Sequence, residues 1–299
     1  GLVEDVASNL PRIDYTDGCG NFLMEPQSTN LITQSELFSD ASWAKGGSSV
    51  VSGFVSPDGS LNAFKLVESA TTATHRLLSN NFSVISGNTY TLSFFIKKGE
   101  TNFFQILFGS TGFGNTHANF DLNLGEVGDL SGVNASSSIT SFANDWYKCT
   151  ITADSNLTTS SALCIALPIS SKTAVRQENY TGDGTSGVYI YGAQVEQGSH
   201  ATSYIPTQGS TVTRVAETCN KTGLSSGLLS NKTSATFFME FDYPLTTIGV
   251  DAFRIMQTTG VGGRAYVWNT EIGFAGDWVG TPQQISTTQT NKVIWRLNT

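Results

Sequence analysis

Charge is the scarcest property of this sequence. Asp, Glu, Lys and Arg together make up only 13% of it, against roughly a quarter in an ordinary soluble protein. Exposed helix faces are normally built from Glu, Lys and Arg, so the shortage argues against a helix-rich fold. The 16 Lys and Arg are scattered and outnumbered by 24 Asp and Glu, for a formal net charge of -8. No basic stripe is available to neutralise phosphates, which argues against nucleic acid as a partner. No apolar run approaches the roughly eighteen residues of a membrane span. The opening GLVEDVASNL carries an acidic pair where a secretory signal would be basic and then apolar.

Cysteine and histidine are also sparse. Cys19, Cys149, Cys164 and Cys219 are spaced far too widely for CxxC metal or redox motifs. Cys149 and Cys164 sit in apolar alternating segments and read as small hydrophobes. Cys19 lies in a Gly-rich turn and Cys219 in a linker, which leaves one bridge between them open. His75, His117 and His200 form no zinc pattern. GxSxG, Cys-His and phosphate-loop signatures are missing as well. Glu25, Glu68, Glu100, Glu178, Glu196 and Glu240 are carboxylates that nothing in the sequence pairs, although glycoside hydrolysis needs two across one bond. The expectation is no enzyme activity.

What the chain has instead is hydroxyls and rings. About a quarter of it is Ser plus Thr, well above average usage. It holds 18 Phe, 9 Tyr, 5 Trp and 30 Gly. That is enough ring and β-branched material to fill cores, which excludes disorder. At 299 residues two domains are expected.

Two-residue alternation dominates. In NTYTLSFFIKKG, Tyr90, Leu92, Phe94 and Ile96 share one face, while Thr91, Ser93 and Lys97 share the other, with Phe95 breaking the pattern. In GVYIYGAQVEQG, Val188, Ile190 and Gly192 alternate with Tyr189, Tyr191 and Ala193. Roughly eight to ten such runs, separated by Gly, Asn, Asp and Ser clusters, predict an all-β protein whose main body, residues 34–207, is a jelly-roll β-sandwich. Residues 1–33, with Pro11 and Pro26, read as an extended lead-in for assembly. A short helix is predicted around 35–45, capped by Ser35, with Phe38 and Trp43 on one face. Residues 208–233 read as a linker. Strand-like runs in 234–299 predict the start of a second, incomplete sandwich, too short to cover its inner faces.

Three segments go further. FLMEPQSTNLITQSELFSDASW (22–43), NTYTLSFFIKKG with DWYKCTIT (88–99 and 145–152), and YGAQVEQGSHATSYIPTQGSTVTR (191–214) occur together. In these the chain resembles a family of bacteriophage virion proteins: tail-fibre, head-fibre and decoration subunits. His200 stands where that family often has an aromatic. The resemblance implies a carbohydrate-binding-module-like jelly roll, a threonine-rich bridge and a concanavalin- or laminin-G-like sandwich. It also implies a non-enzymatic structural role on the virion surface, other virion subunits as partners, a homo-oligomer with a trimer favoured, and a polysaccharide as a ligand. Two other readings stay open. One is a carbohydrate-binding module of a secreted bacterial polysaccharide-degrading enzyme, extracellular or on the cell surface. The other is a fragment of a depolymerising tailspike.

Sugar recognition needs flat rings for the apolar sugar face and amides or hydroxyls for its hydroxyl groups. The loop TGFGNTHAN offers Phe113, Asn115, His117 and Asn119; in the second unit Trp268 and Trp278 flank Gly-rich turns. Packing onto the sandwich is the competing account for each ring. Asp58, Asp121 and Asp183 are candidate ligands for a structural Ca²⁺, and plain turns account for the same residues.

Overall fold

The computed structural model describes residues 21–217 continuously, Val6, Leu10 and residues 12–14 ahead of them, and the backbones of six strands beyond residue 217. The chain divides into two compact units, Gly1–Thr218 and Cys219–Thr299.

The first unit is built on two six-stranded antiparallel sheets. The first sheet runs in the order Ser136–Ser141, Trp146–Asp154, Thr89–Lys97, Gly187–Gln197, Ala63–Glu68, Ser48–Phe54. The second runs Glu126–Ser131, His117–Asp121, Phe103–Phe108, Cys164–Ile169, Arg76–Leu78, Ala44–Gly46. From Ala63–Glu68 to Phe103–Phe108, and again from Trp146–Asp154 to Gly187–Gln197, successive strands of the two sheets swap sides. That is a jelly roll, as the alternation predicts.

Alternation explains the core. Leu92, Phe94 and Ile96 of the first sheet face Phe104, Ile106 and Phe108 of the second, joined by Ile151, Phe120 and Ile190, all buried. The Phe38 ring lies 5.1 Å from Trp43, 5.7 Å from Phe64 and 6.3 Å from Phe94. Burial stabilises each such ring by about 1.5–3 kcal/mol. Cys149 and Cys164 are buried free thiols whose pKa burial raises, so they act as small apolar side chains. Cys19 and Cys219 lie outside the described residues.

Three features depart from the sequence expectations. The predicted helix at 35–45 is a pair of turns, closed by Asp40 N–H to Leu37 O and Trp43 N–H to Asp40 O. Ser35 does not cap it, because its N–H donates to Thr207 and its hydroxyl is engaged by Tyr204. Second, strict alternation fails at Gly192, where a bulge sits opposite Ser93–Phe95. Its φ is +62° and a Cβ there would lie 3.0 Å from the Phe95 ring, so only glycine fits without strain. Beyond the bulge Ala193 and Val195 enter the core, reversing the face assigned to Ala193.

Third, parts of the lead-in and of the linker belong to the sandwich unit. Ser28–Asn30 pairs antiparallel with Val212–Arg214, and Gln34 bridges Gln208. Asn30 is the hub. Its Nδ2 donates to Ala193 O at 3.1 Å and Ile205 O at 2.9 Å, and its Oδ1 accepts from Ile32 N–H and Val195 N–H. The EPQSTNLI and SYIPT segments are thus two halves of one strap.

In the second unit Ser234–Phe241 pairs with Asn291–Asn298. Phe253–Gln257, Arg264–Trp268, Glu271–Ala275 and Gln283–Gln284 form an antiparallel sheet in chain order.

Asn30→Ala leaves two buried carbonyls and two buried N–H groups unpaired. It is expected to lower stability by about 3 kcal/mol, read as a shifted urea midpoint. Gly192→Ala is expected to cost about 1–2 kcal/mol in the same measurement.

Candidate functional site

The outer face of the first sheet divides into a covered and an open half. The covered half carries Thr91, Ser93, Thr152, Gln194 and Glu196, all buried. Glu196 accepts from Ser28 Oγ at 2.5 Å, Gln194 Nε2 at 2.6 Å and Thr202 N–H at 3.0 Å, and also from the Thr202 hydroxyl. Lys148 Nζ donates to Thr202 O at 2.7 Å and lies 5.9 Å from the centre of the Phe95 ring. Burial lowers its pKa. At the margin Glu25 gathers Arg12 at 2.6 Å, Arg214 at 2.9 Å and Ser203 N–H at 2.7 Å, while Glu217 takes Arg12 and Glu25 N–H. These groups are spent on holding the strap.

The open half is a floor of rings. Tyr189 sits between Lys65 and Lys97 on the adjacent strands. The Phe54 ring lies 4.8 Å from Tyr189. Phe142 packs edge-on against Phe95 at 5.1 Å, and Tyr191 and Tyr204 lie 5.5 Å apart. Phe54, Phe142, Tyr189 and Tyr204 are only half-buried.

The phenols differ in what they hold. The Tyr191 hydroxyl is shared between Glu36 Oε1 and Asp58 Oδ2, 3.0 Å from each. Tyr204 reaches Ser35 at 2.6 Å and Glu36 at 3.2 Å. Burial first, then the neighbouring carboxylate charge, pushes both phenols up, so both stay neutral. The Tyr189 hydroxyl has no partner among the described residues. Lys65 Nζ binds Glu100 at 2.7 Å, and Lys97 Nζ donates to Asn144 O at 2.7 Å. A half-exposed ring pair with an unspent hydroxyl, bordered by polar groups, can stack on the apolar face of a sugar and bond its hydroxyls.

The site residues expected from sequence lie elsewhere. Phe113 is 2% exposed, stacked 4.1 Å from Phe108 and edge-on to Tyr90, so it is core. Asn119 is fully buried: it accepts from Gln105 and donates to Lys172 O and Ala174 O, clamping residues 172–177 over the second sheet. His117 is buried with Nδ1 against Asn115 O at 3.2 Å, and burial lowers its pKa. Asn115 alone of the four is exposed. The TGFGNTHAN loop therefore offers no ring to a ligand. The Trp268 side chain and Trp278 lie outside the described residues.

The three aspartates are not brought together either. Asp58 Oδ1 accepts from Ser56 Oγ at 2.5 Å and Ser60 N–H at 2.7 Å. Asp121 caps Asn123 and Leu124, and Asp183 caps Thr185 and Ser186, whose bonds hold its pKa far below the usual range. Among the described residues no three His, Cys, Asp or Glu side chains form a metal-holding group. Each Asp accepts bonds from its own turn, and Asp58 also accepts from the Tyr191 hydroxyl. Of the rings that form the open face, Tyr189 had a partial signal in the sequence, since it falls on the face opposite the core-facing Val188 and Ile190, and Phe54 had none.

No protein-family model and no curated protein matches the chain. Among solved structures, the chain is similar to the CBM22-1–GH10 modules of the Clostridium thermocellum N-terminal endo-1,4-beta-D-xylanase 10B, complexed with xylohexaose. The TM-score is 0.33 at 13% identity, over 62% of this chain and 30% of that one. This chain thus spans about a third of that protein's length, and the overlap is too slight to assign a common fold. The virion-protein resemblance rests on the sequence motifs alone.

Asp58 supplies a pH test. Burial raises its pKa, but the bonds from Ser56, Ser60 and Tyr191 outweigh that and lower it below the ordinary carboxylate value. Its contribution to stability is therefore present above about pH 4 and lost as pH falls through the folded value. Asp58→Asn is expected to flatten the acid limb of a Tm-against-pH curve and to change the near-ultraviolet tyrosine signal.

Proposed function

We propose that the jelly roll is a non-catalytic glycan-binding module, with a polysaccharide chain lying over the Phe54–Tyr189 pair. We propose further that it is displayed on a phage particle as a fibre or decoration subunit, assembled with other virion subunits as a homo-oligomer. One observation carries the binding role: Tyr189 holds a half-buried ring and an unspent hydroxyl between Lys65 and Lys97 on one sheet face.

Hydrogen bonding supports the non-catalytic part. Glycoside hydrolysis needs two carboxyl groups facing one glycosidic bond. Glu36 and Asp58 instead share the Tyr191 hydroxyl, 3.0 Å from each. The virion role is supported by the strap motifs, Glu25-Pro26-Gln27-Ser28-Thr29-Asn30-Leu31 and Tyr204-Ile205-Pro206-Thr207. The same open face fits a carbohydrate-binding module of a secreted polysaccharide-degrading enzyme, in which catalysis would lie elsewhere on the polypeptide.

Affinity electrophoresis against a panel of capsular and plant polysaccharides tests the face. Tyr189→Ala and Phe54→Ala are each expected to weaken retention about tenfold, equivalent to about 1.4 kcal/mol, with Tm nearly unchanged. Retention that survives both substitutions would remove the face as the binding site. Reducing-sugar release from the retained polymer is expected to be nil, and release would overturn the non-catalytic reading. Immunogold labelling of purified phage particles separates the virion subunit from the secreted module.

A further inference from the structure

The second sheet carries a cation that the fold leaves without a counter-charge. Arg176 belongs to the segment 172–177, which is clamped over the outer face of that sheet. Asn119 Nδ2 donates to Lys172 O at 3.2 Å and Ala174 O at 2.8 Å. Gln105 Nε2 donates to Val175 O at 3.3 Å, and Gln177 N–H donates to Gln105 Oε1 at 2.8 Å. Both clamping amides are fully buried, so the backbone that carries Arg176 is fixed. A preformed site loses little to ordering when it binds.

A guanidinium has five N–H donors and no acceptor. Among the described residues Arg176 makes one hydrogen bond, from Nη2 to Phe108 O at 3.0 Å. Its Nε is buried and has no partner. Burial lowers its pKa, and no carboxylate offsets that. The other described arginines are served better: Arg12 and Arg214 bind Glu25, and Arg76 binds Gln177 Oε1 at 2.7 Å. Partly burying a charge with no counter-charge is costly, and a bound anion would offset that cost. Nη1 has no partner among the described residues and is open to solvent. Together with the second N–H of Nη2 it forms the fork that grips an oxyanion through two parallel bonds.

The surroundings suit an anion. Phe108 O is the last carbonyl of its strand, and pairing to His117–Asp121 stops one residue earlier, with Leu107 opposite His117. The guanidinium thus sits where the two strands part. Ala118 and Phe120 enter the core, which puts His117 on the outer face, with Nδ1 against Asn115 O at 3.2 Å. Burial lowers the His117 pKa, the bond to Asn115 O opposes this, and the Arg176 charge lowers it further, so the two side chains are electrostatic neighbours. Asn115 is exposed, and its amide reaches Ser131 Oγ at 3.5 Å. Asp129 is the one carboxylate that acts on His117; it is exposed, so water screens it. The net charge of -8 is spread over the whole chain and is screened beyond about 8 Å at physiological salt.

We propose that Arg176 anchors an oxyanion site, which takes the carboxylate of an acidic sugar, or a free sulfate or phosphate ion, end-on through Nη1 and Nη2 beside His117 and Asn115. The site shares no residue with the ring floor and does not rest on it.

NMR of the whole chain tests it, with the His117 imidazole resonances as reporter. The titrants are glucuronate, sulfate and phosphate at constant ionic strength and neutral pH, with glucose and chloride as controls. At least one oxyanion is expected to give a saturable shift at millimolar concentration, and the controls none. A response to glucuronate alone assigns the site to acidic sugars; a response to sulfate or phosphate alone assigns it to the free ion. Arg176→Gln is expected to weaken the response about tenfold, with Tm unchanged or higher because a charge without a counter-charge is removed. Arg176→Lys keeps the charge but loses the fork, and is expected to weaken it about threefold. The proposal is overturned if no oxyanion gives a saturable shift, or if chloride gives the same one. It is equally overturned if the shift survives in Arg176→Gln or, should that variant fail to fold, in Arg176→Lys.

Discussion

One extra residue at Gly192 organises the outer face of the first sheet. Up to Tyr191 the closing strand alternates with Val188 and Ile190 inward and Tyr189 and Tyr191 outward. Carried on without interruption, that alternation would send Gln194 and Glu196 into an apolar core and expose Ala193 and Val195. Burying an unpaired carboxylate there is prohibitive. The bulge shifts the phase, so Ala193 and Val195 complete the core while Glu196 stays outside, where Ser28 and Thr202 bond it. Only a residue with no Cβ can take the positive φ there with the Phe95 and Tyr204 rings within about van der Waals distance.

The division of that face follows from the same phase shift. Beyond the bulge the strand presents acceptors, and the strap lies over them through Ser28 and Thr202, with residues 212–214 paired to 28–30. Before it the strand presents tyrosines, which the strap leaves open. The polar groups on the covered side are consumed by internal bonds: Glu25 by two arginines and a backbone N–H, Asn30 by four backbone groups, Glu196 by hydroxyls and an amide. On the open side of this face, among the described residues, the Tyr189 hydroxyl has no partner and the rings around it are half-buried. The motif residues most distinctive in the sequence thus hold the fold together, and the residues best placed for binding are unremarkable in sequence.

Legibility in the sequence followed range of interaction. Core strands were legible because alternation is local: Leu92, Phe94 and Ile96 face inward as their spacing implies, and Phe95, the residue that breaks the pattern, proves to be the centre of a separate outer ring cluster. The helix expected at 35–45 failed because Ser35 bonds to Thr207 and Tyr204, residues far along the chain. Phe113 stayed open between a ligand-facing ring and one packed onto the sandwich for the same reason. Its loop folds back so that the ring stacks on Phe108, a contact that no local pattern announces. Phe54 carried no signal at all, since its meeting with Tyr189 depends on the order of strands in the sheet.

Composition and periodicity by themselves determined an all-β chain with a hydroxyl-rich surface, a two-sheet core and little material for nucleic-acid binding. These properties follow from averages over many residues and from the two-residue repeat of an extended backbone. Only the tertiary structure decided which polar groups are spent and which are free, because a hydroxyl, amide or carboxylate has the same local signature whether it is capped, clamped or open to solvent. Asp58, Asn119 and Tyr189 are equally plausible ligand-binding residues as letters in a sequence. The fold spends the first on a turn, the second on a clamp, and leaves the third for a partner.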